Sequence, residues 1–277
     1  MLLLLGFSHL ECDEEALQCF SNMRRKGFSI DFFTFSSILR AIGKVSAIEI
    51  GKQTHALVFK TGYASNVFVQ NGLVSMYTRC GLINDVKKVF FAMDEHDLIS
   101  WNSLLLGCAY HGYGQEICKL FEQMKNMGIQ PDENTILSVL SACSHVGLLE
   151  KGLEYVELFG ELYFNDPHSV EYYASIVDLL GRAGYVQEAE AFINSMPMKS
   201  GPSMYKSLIS SCKVYGNMEI AVRASQRLLE LYPDDPATYV LLSSSFAVRG
   251  CWDEAAGVRR LMQNRGVQKE PGYSWVE

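Results

Sequence analysis

Residues 98–132 read LISWNSLLLGCAYHGYGQEICKLFEQMKNMGIQPD, and this stretch decides the fold. Ile99 to Tyr110 form a helical segment with Leu104, Leu105 and Cys108 on its apolar side. His111-Gly112 is a turn, because glycine accepts the left-handed conformation that ends a helix. A second segment carries Ile117, Leu120, Phe121 and Met124, an i, i+3, i+4, i+7 stripe that predicts one buried helical face. Gly128 stops that helix and Pro131 prevents its continuation. The unit is a helical hairpin of 35 residues. One hairpin cannot bury both of its faces, so copies of it are expected on either side.

The copies are found by following Gly112 outward. Gly81, Gly112, Gly147, Gly184, Gly216 and Gly250 form a column with steps of 31, 35, 37, 32 and 34. Ser46 stands in the same column one unit earlier. Five residues on, a second column holds Ala16, Gly51, Val86, Ile117, Gly152, Ala189, Ala221 and Ala255. Seven further on, a third holds Met23, Val58, Met93, Met124, Phe159, Met196, Leu228 and Met262. All three keep the same steps. The expected fold is all-α: an α-solenoid, a right-handed superhelix of about eight helix-turn-helix repeats. Cys108, Cys143 and Cys212 share one position in their units, where a small apolar residue lets two helices approach.

Composition agrees. Hydrophobic residues make up 48% and charged residues 20% of 277, which describes a globular chain rather than a disordered one. The longest N-terminal apolar run, Leu2 to Leu5, is too short to span a bilayer and has no basic region or cleavage site of a signal peptide. No membrane partner is expected. None of the eight cysteines forms a Cys-x-x-Cys pair, so neither a zinc site nor a redox site is expected, and the thiols read as reduced and mostly buried. No cofactor is expected.

Periods of 34 and 35 suit two helical-hairpin families, the tetratricopeptide repeats and the pentatricopeptide repeats. Units that open with Ser100-Trp101-Asn102 or Val69-Gln70-Asn71 and close Met-x-x-x-Gly-x-x-Pro-Asp, as Met124 to Asp132 do, resemble the second. The lengths resemble its plant PLS class: residues 1–31 as an incomplete standard repeat, 32–66 long, 67–97 short, 98–132 standard, 133–169 long and 170–201 short. Val177 to Gly184, VDLLGRAG, resembles the last short repeat of that class. Residues 202–277 look like two tetratricopeptide-like C-terminal extension motifs, closing with GVQKEPGYSWVE. The resemblance covers essentially the whole chain.

The resemblance implies a partner, single-stranded organellar RNA, and a role in marking transcript sites, most often for cytidine-to-uridine editing. A mitochondrial or chloroplast location follows from it, although the chain itself shows no transit peptide. Each repeat of the family takes one base with its fifth and last residues together, a one-base-per-repeat code. Carried onto this sequence, the base-reading pairs are Asn71 with Asp97 and Asn102 with Asp132, which in the family favour uridine. Ser36 with Asn66 resembles an adenine reader. An Asn amide both donates to and accepts from a Watson–Crick edge, and the Asp would fix its orientation directly or through water. Phe33, Phe68 and Ile99 hold the second position, where a side chain clamps a base face. A purely structural reading of the same residues stands beside this one. Asn near a helix start is a common cap, and Asp after Pro is common in turns.

Four departures qualify the resemblance. Met1 stands in the base-reading slot of residues 1–31. Leu137 with His168 or Ser169, and Ala174 with Gly201, are not readers. The chain stops at Glu277, where many relatives continue into a cytidine-deaminase-like domain. A zinc deaminase needs His-x-Glu and a later Pro-Cys-x-x-Cys. His9-Leu10-Glu11 supplies only the first half, and Gly112-Tyr113-Gly114 is no phosphate loop. No enzyme is expected; another protein or domain would supply catalysis.

Charge argues against RNA at first sight, since the net charge is −7. Residues 1–132 are net −1, residues 133–201 net −7 and residues 202–277 net +1, so the acidity lies in the units that lack readers. Arg24, Arg25, Lys26, Lys44, Lys52, Lys60, Lys87 and Lys88 are expected to remain available for phosphate. The alternative is a protein-binding scaffold without RNA readout. Tyr239 to Leu242 and Trp252 to Ala255 resemble tetratricopeptide phrases, and residues 202–277 are candidates for binding editing-complex proteins.

Overall fold

The computed structural model describes residues 13–163, 170–196 and 200–268, and side chains 161–163 are left aside. Met1, Leu2 to Leu5, His9-Leu10-Glu11, Cys12, His168, Ser169 and the closing Lys269 to Glu277 lie outside those residues. The described residues form helices and turns, with no strand among them. The helices are α1 (Asp13–Arg25), α2 (Phe32–Lys44), α3 (Ile48–Lys60), α4 (Val67–Arg79), α5 (Ile83–Phe91), α6 (Leu98–Tyr110), α7 (Gly114–Asn126), α8 (Glu133–Val146), α9 (Leu149–Tyr163), α10 (Val170–Arg182), α11 (Val186–Ser195), α12 (Pro202–Tyr215), α13 (Met218–Leu231), α14 (Pro236–Val248) and α15 (Trp252–Asn264). The all-α fold follows from them.

Two compact units divide the chain at Ala142 and Cys143, within α8. In the first, α2–α3, α4–α5 and α6–α7 pack as hairpins, and α2, α4 and α6 pack side by side as one layer. In the second, α10–α11, α12–α13 and α14–α15 are the hairpins, and α10, α12 and α14 form the layer. Even-numbered helices therefore line one layer in each unit, and odd-numbered helices back it.

The turn column explains why each hairpin closes where it does. Gly81, Gly112, Gly147, Gly184, Gly216 and Gly250 have φ between 74° and 91°. Around Gly112, its N–H reaches the Ala109 carbonyl at 3.3 Å, and the Tyr113 N–H reaches Cys108 at 3.0 Å. These bonds satisfy carbonyls that the end of α6 would otherwise strand. Ser46 takes the same place after α2 with φ 54°, the only non-glycine at positive φ among the described residues. A side chain there costs about 1–2 kcal/mol. Ser46→Gly should therefore raise stability by about 0.5–1 kcal/mol after glycine's greater unfolded entropy is subtracted. A denaturant midpoint unchanged or lowered would refute this.

Packing between layers follows the other two columns. Ala16, Val86, Ile117, Ala189, Ala221 and Ala255 are buried, as are Val58, Met93, Met124 and Leu228. At Gly152 on α9 a Cβ would stand 2.5 Å from a methyl of Leu179 on α10, so any larger residue there would have to push that side chain aside. Cys108, Cys143 and Cys212 are all wholly buried. Burial, with a nearby carboxylate adding to it, pushes Cys108 and Cys212 up to about 11. Met23, Met196 and Met262 of the same column are only half-buried. Helix α11 ends at Ser195, and Met196 follows in an extended conformation, only half-buried.

Candidate nucleic-acid interface

The first unit presents its polar pairs at the start of successive even helices. Each of these helices needs an acceptor for its exposed first N–H groups. Asp31 supplies it to α2 by accepting from the Thr34 N–H at 2.8 Å. Asn66 supplies it to α4 at 3.2 Å, Asp97 to α6 at 2.8 Å and Asp132 to α8 at 2.9 Å. The closing residue of each hairpin is thus the N-cap of the next. The capping role belongs to these residues whether or not RNA binds.

Two of the caps do more. Asn71, in the second turn of α4, donates from Nδ2 to Asp97 Oδ2 at 2.9 Å and lies 3.1 Å from Oδ1. Asn102, in the second turn of α6, donates to Asp132 Oδ1 at 2.9 Å. The structure thus brings together residues 26 and 30 apart in sequence, by direct bonds rather than through water. Ser36 and Asn66 are not joined. The Ser36 hydroxyl donates to the Phe32 carbonyl at 2.9 Å, and the Asn66 oxygen is held by its cap.

The environments of the two pairs differ. Asn71 is buried, and its Oδ1 has no hydrogen-bond partner. Asn102 is half-buried, and its Oδ1 accepts from the Thr135 hydroxyl at 2.6 Å. Burial pushes the Asp132 carboxyl up, but bonds from the Thr135 amide, the Thr135 hydroxyl and Asn102 outweigh it and hold the carboxyl below its ordinary value. Asp31 is also held low, chiefly by the Thr34 hydroxyl. Asp132 is therefore ionised at neutral pH, as an acceptor for these donors requires.

Beside these pairs the surface is apolar. Phe33, Phe68 and Ile99 are 53%, 59% and 58% exposed. Phe68 stacks on Phe32 of the neighbouring helix, with ring centroids 6.0 Å apart. Exposed aromatic faces next to polar edges offer both stacking and hydrogen bonding to a planar heterocycle.

The basic residues are placed otherwise than the charge pattern suggested. Lys87 sits on the odd helix α5, pairs with Glu116 at 2.7 Å and lies over the Tyr113 ring at 4.5 Å. Lys88 pairs with Asp85, Lys52 with Glu49 and Lys44 with Asp13. Four of the eight cations expected to be available are thus paired, because the odd helices place acidic residues one turn away or on the adjacent hairpin. Sequence reasoning also missed a pair. Lys206 on α12 donates to Asp235, the cap of α14, at 2.8 Å, in the same register as Asn71 with Asp97. The spacing could have revealed it, because 206 and 235 are the fifth and last residues of their hairpin.

The second unit holds a different polar cluster. Asp178 on α10 accepts from Ser144 and Ser207 at 2.5 Å each, and from the Arg182 Nε at 2.9 Å. Burial opposes its ionisation, but these donors hold the carboxyl low. They border a cleft of about 820 Å³ that also reaches His145, Lys206 and Tyr215. Among the described residues no group of His, Cys, Asp and Glu could hold a metal ion, and no helix is long and apolar enough to cross a membrane.

Comparison with known proteins adds three findings. Family models match the chain: the PPR repeat at residues 2–28, 71–98 and 172–200, the PPR repeat family at 96–145, and the E motif at 215–277. A putative pentatricopeptide repeat-containing protein of Arabidopsis thaliana is 39% identical over 276 residues, covering 99% of this chain and 39% of the relative. A mitochondrial relative from the same plant is 39% identical, with 98% and 43% covered, and a chloroplastic one is 38% identical, with 95% and 31% covered. The chain thus spans roughly a third to two fifths of the length of these relatives. Among solved structures, the pentatricopeptide repeat protein PPR10 in complex with an 18-nt psaJ RNA element matches with a TM-score of 0.79 and 18% identity, over 97% of this chain and 40% of that one. The match shows a shared helical-repeat fold.

Proposed function

We propose that this chain, which belongs to the pentatricopeptide repeat family and ends in an E motif, binds single-stranded RNA in a base-selective way and acts in an organelle as a site-recognition factor. The observation that carries the proposal is the repeated Asn-to-Asp bond at the start of successive even helices, at Asn71 with Asp97 and Asn102 with Asp132. A carboxylate that holds an Asn amide in one orientation leaves its remaining hydrogen-bonding edge to read a base. Phe68 and Ile99 stand exposed beside these pairs, as stacking partners would. The PPR10 complex contains RNA, and relatives are named mitochondrial or chloroplastic, which supports an organellar RNA partner here.

The finer reading is cytidine-to-uridine editing, with catalysis supplied by another protein or domain. On it, residues 32–66, 67–97 and 98–132 act as long, short and standard repeats, and residues 202–277 meet editing-complex proteins. Trp252 at the start of α15 is 69% exposed, and Pro236, Ala237, Val240 and Leu241 line an apolar cleft on α14, which favours a protein contact there. Ser36 with Asn66 stands as the weaker reader, since no bond couples them. The test is ultraviolet crosslinking of the chain to a pool of short RNAs, followed by sequencing. Adjacent uridines should be enriched among bound molecules. A bound pool indistinguishable from the input would leave the scaffold reading in its place.

A further inference from the structure

Thr135 is the third residue of the hairpin that follows Asn102, and it is wholly buried. Its hydroxyl lies 2.6 Å from Asn102 Oδ1 and 2.8 Å from Asp132 Oδ1, and it accepts the Asp132 N–H at 3.1 Å. The Asn102 amide is therefore gripped at both ends: its oxygen accepts from Thr135 and its nitrogen donates to Asp132 at 2.9 Å. Turning the amide over would set its oxygen against the Asp132 carboxylate, which has no proton to give, and would take from the Thr135 hydroxyl the acceptor it has at 2.6 Å. One N–H of Asn102 is left over, and it is a donor only.

The other pair has no third member. Ser100 holds the matching place after Asn71, but its hydroxyl donates to the Asp97 carbonyl at 2.8 Å and accepts the Asp97 N–H at 3.0 Å. Asn71 Oδ1 is left buried without a partner. After Ser36 the same place is filled by Val69, buried and without a hydroxyl. Two pairs identical in sequence are thus differently completed, and the difference lies in a residue of the next hairpin.

We infer that Thr135 is a positioning residue for base selection, fixing the Asn102 amide with its N–H outward and making that site the more discriminating of the two. The inference rests on the base-reading role proposed above. The test uses the chain with a panel of short single-stranded RNAs that vary one base at a time, and compares Thr135→Val, Thr135→Ser and Asn102→Thr. Thr135→Val should lower the preference for uridine at the Asn102 base by about 3- to 10-fold, the range of one lost neutral hydrogen bond. Selectivity at the Asn71 base should not change, and Thr135→Ser should restore it at the Asn102 base. If Thr135→Val weakens all RNAs alike, its hydroxyl serves only the cap of α8 and the inference falls. If Thr135→Val keeps full selectivity while Asn102→Thr alters it, the inference falls and the base-reading role stands. If Asn102→Thr alters nothing, both fall.

Discussion

Met124→Ala should destabilise the first unit by about 2–5 kcal/mol, whereas Met127→Ala, three residues along the same chain, should cost under about 0.5 kcal/mol. The two methionines differ only in placement. Met124 is 0% exposed on the inner face of α7, while Met127 follows the helix and is 57% exposed. Truncation of Met124 removes buried methylenes and leaves a cavity beside Ile117 and Phe121, which are also wholly buried. α6 packs against α7 beside wholly buried Ile117 and Phe121, so collapse around the void is limited and the cost should sit well inside that range. In a stacked array each hairpin is held mainly by its neighbours. The loss should therefore appear first as faster amide exchange in α6 and α7 rather than as uniform weakening. Equal denaturant midpoints for the two variants would show that α7 does not pack on its Ile117–Met124 face.

The periodic part of this molecule was legible because it rests on local chemistry repeated many times. A residue that accepts positive φ at each turn, glycine in all but one, a buried small or β-branched residue five later and a large apolar one seven after that each suit the geometry of a hairpin. Their agreement over six or more copies isolates the fold from chance. Met196, one residue past the end of α11, is half-buried, whereas Met93, two residues past the end of α5, is still buried, so the column fixes a residue's place along the hairpin but not its depth. The Asn–Asp pairs were legible as columns, and the cap they share with the helix start is why Asp recurs there. The third partner was not legible. Thr135 and Ser100 occupy one column and both bond Asp backbone, yet only Thr135 reaches the preceding Asn. That distinction depends on side-chain placement across adjacent helices, which no spacing encodes. The pairing of Lys87 with Glu116 was hidden for the same reason, since it joins two odd helices 29 residues apart.

Asn102→Thr should move base preference at one position from uridine toward guanine, with a change of about 1–3 kcal/mol in relative affinity, the usual size of one direct-readout contact. Thr at that place, with Asp132, matches the pairing that the family resemblance associates with guanine. The substitution is a clean probe because the cap of α8 survives it. Asp132 keeps the Thr135 N–H at 2.9 Å, so the start of the helix is still satisfied. What is lost is the Nδ2 donor to Asp132 and the acceptor for the Thr135 hydroxyl, both of which belong to the Asn102 amide. The cost in fold stability should be about 1–3 kcal/mol, the worth of two hydrogen bonds. The upstream base, facing Asn71 and Asp97, is an internal control, because that pair lies on the preceding hairpin and shares no bond with Asn102. The measurement is equilibrium binding to four RNAs that differ only at the downstream base, repeated at two salt concentrations. Phosphate contacts set the slope with salt and should be common to all four. A parallel fall in affinity for all four RNAs would assign Asn102 to the fold alone. Unchanged affinities would remove it from the interface and leave the E motif surface around Trp252 as the chain's principal contact.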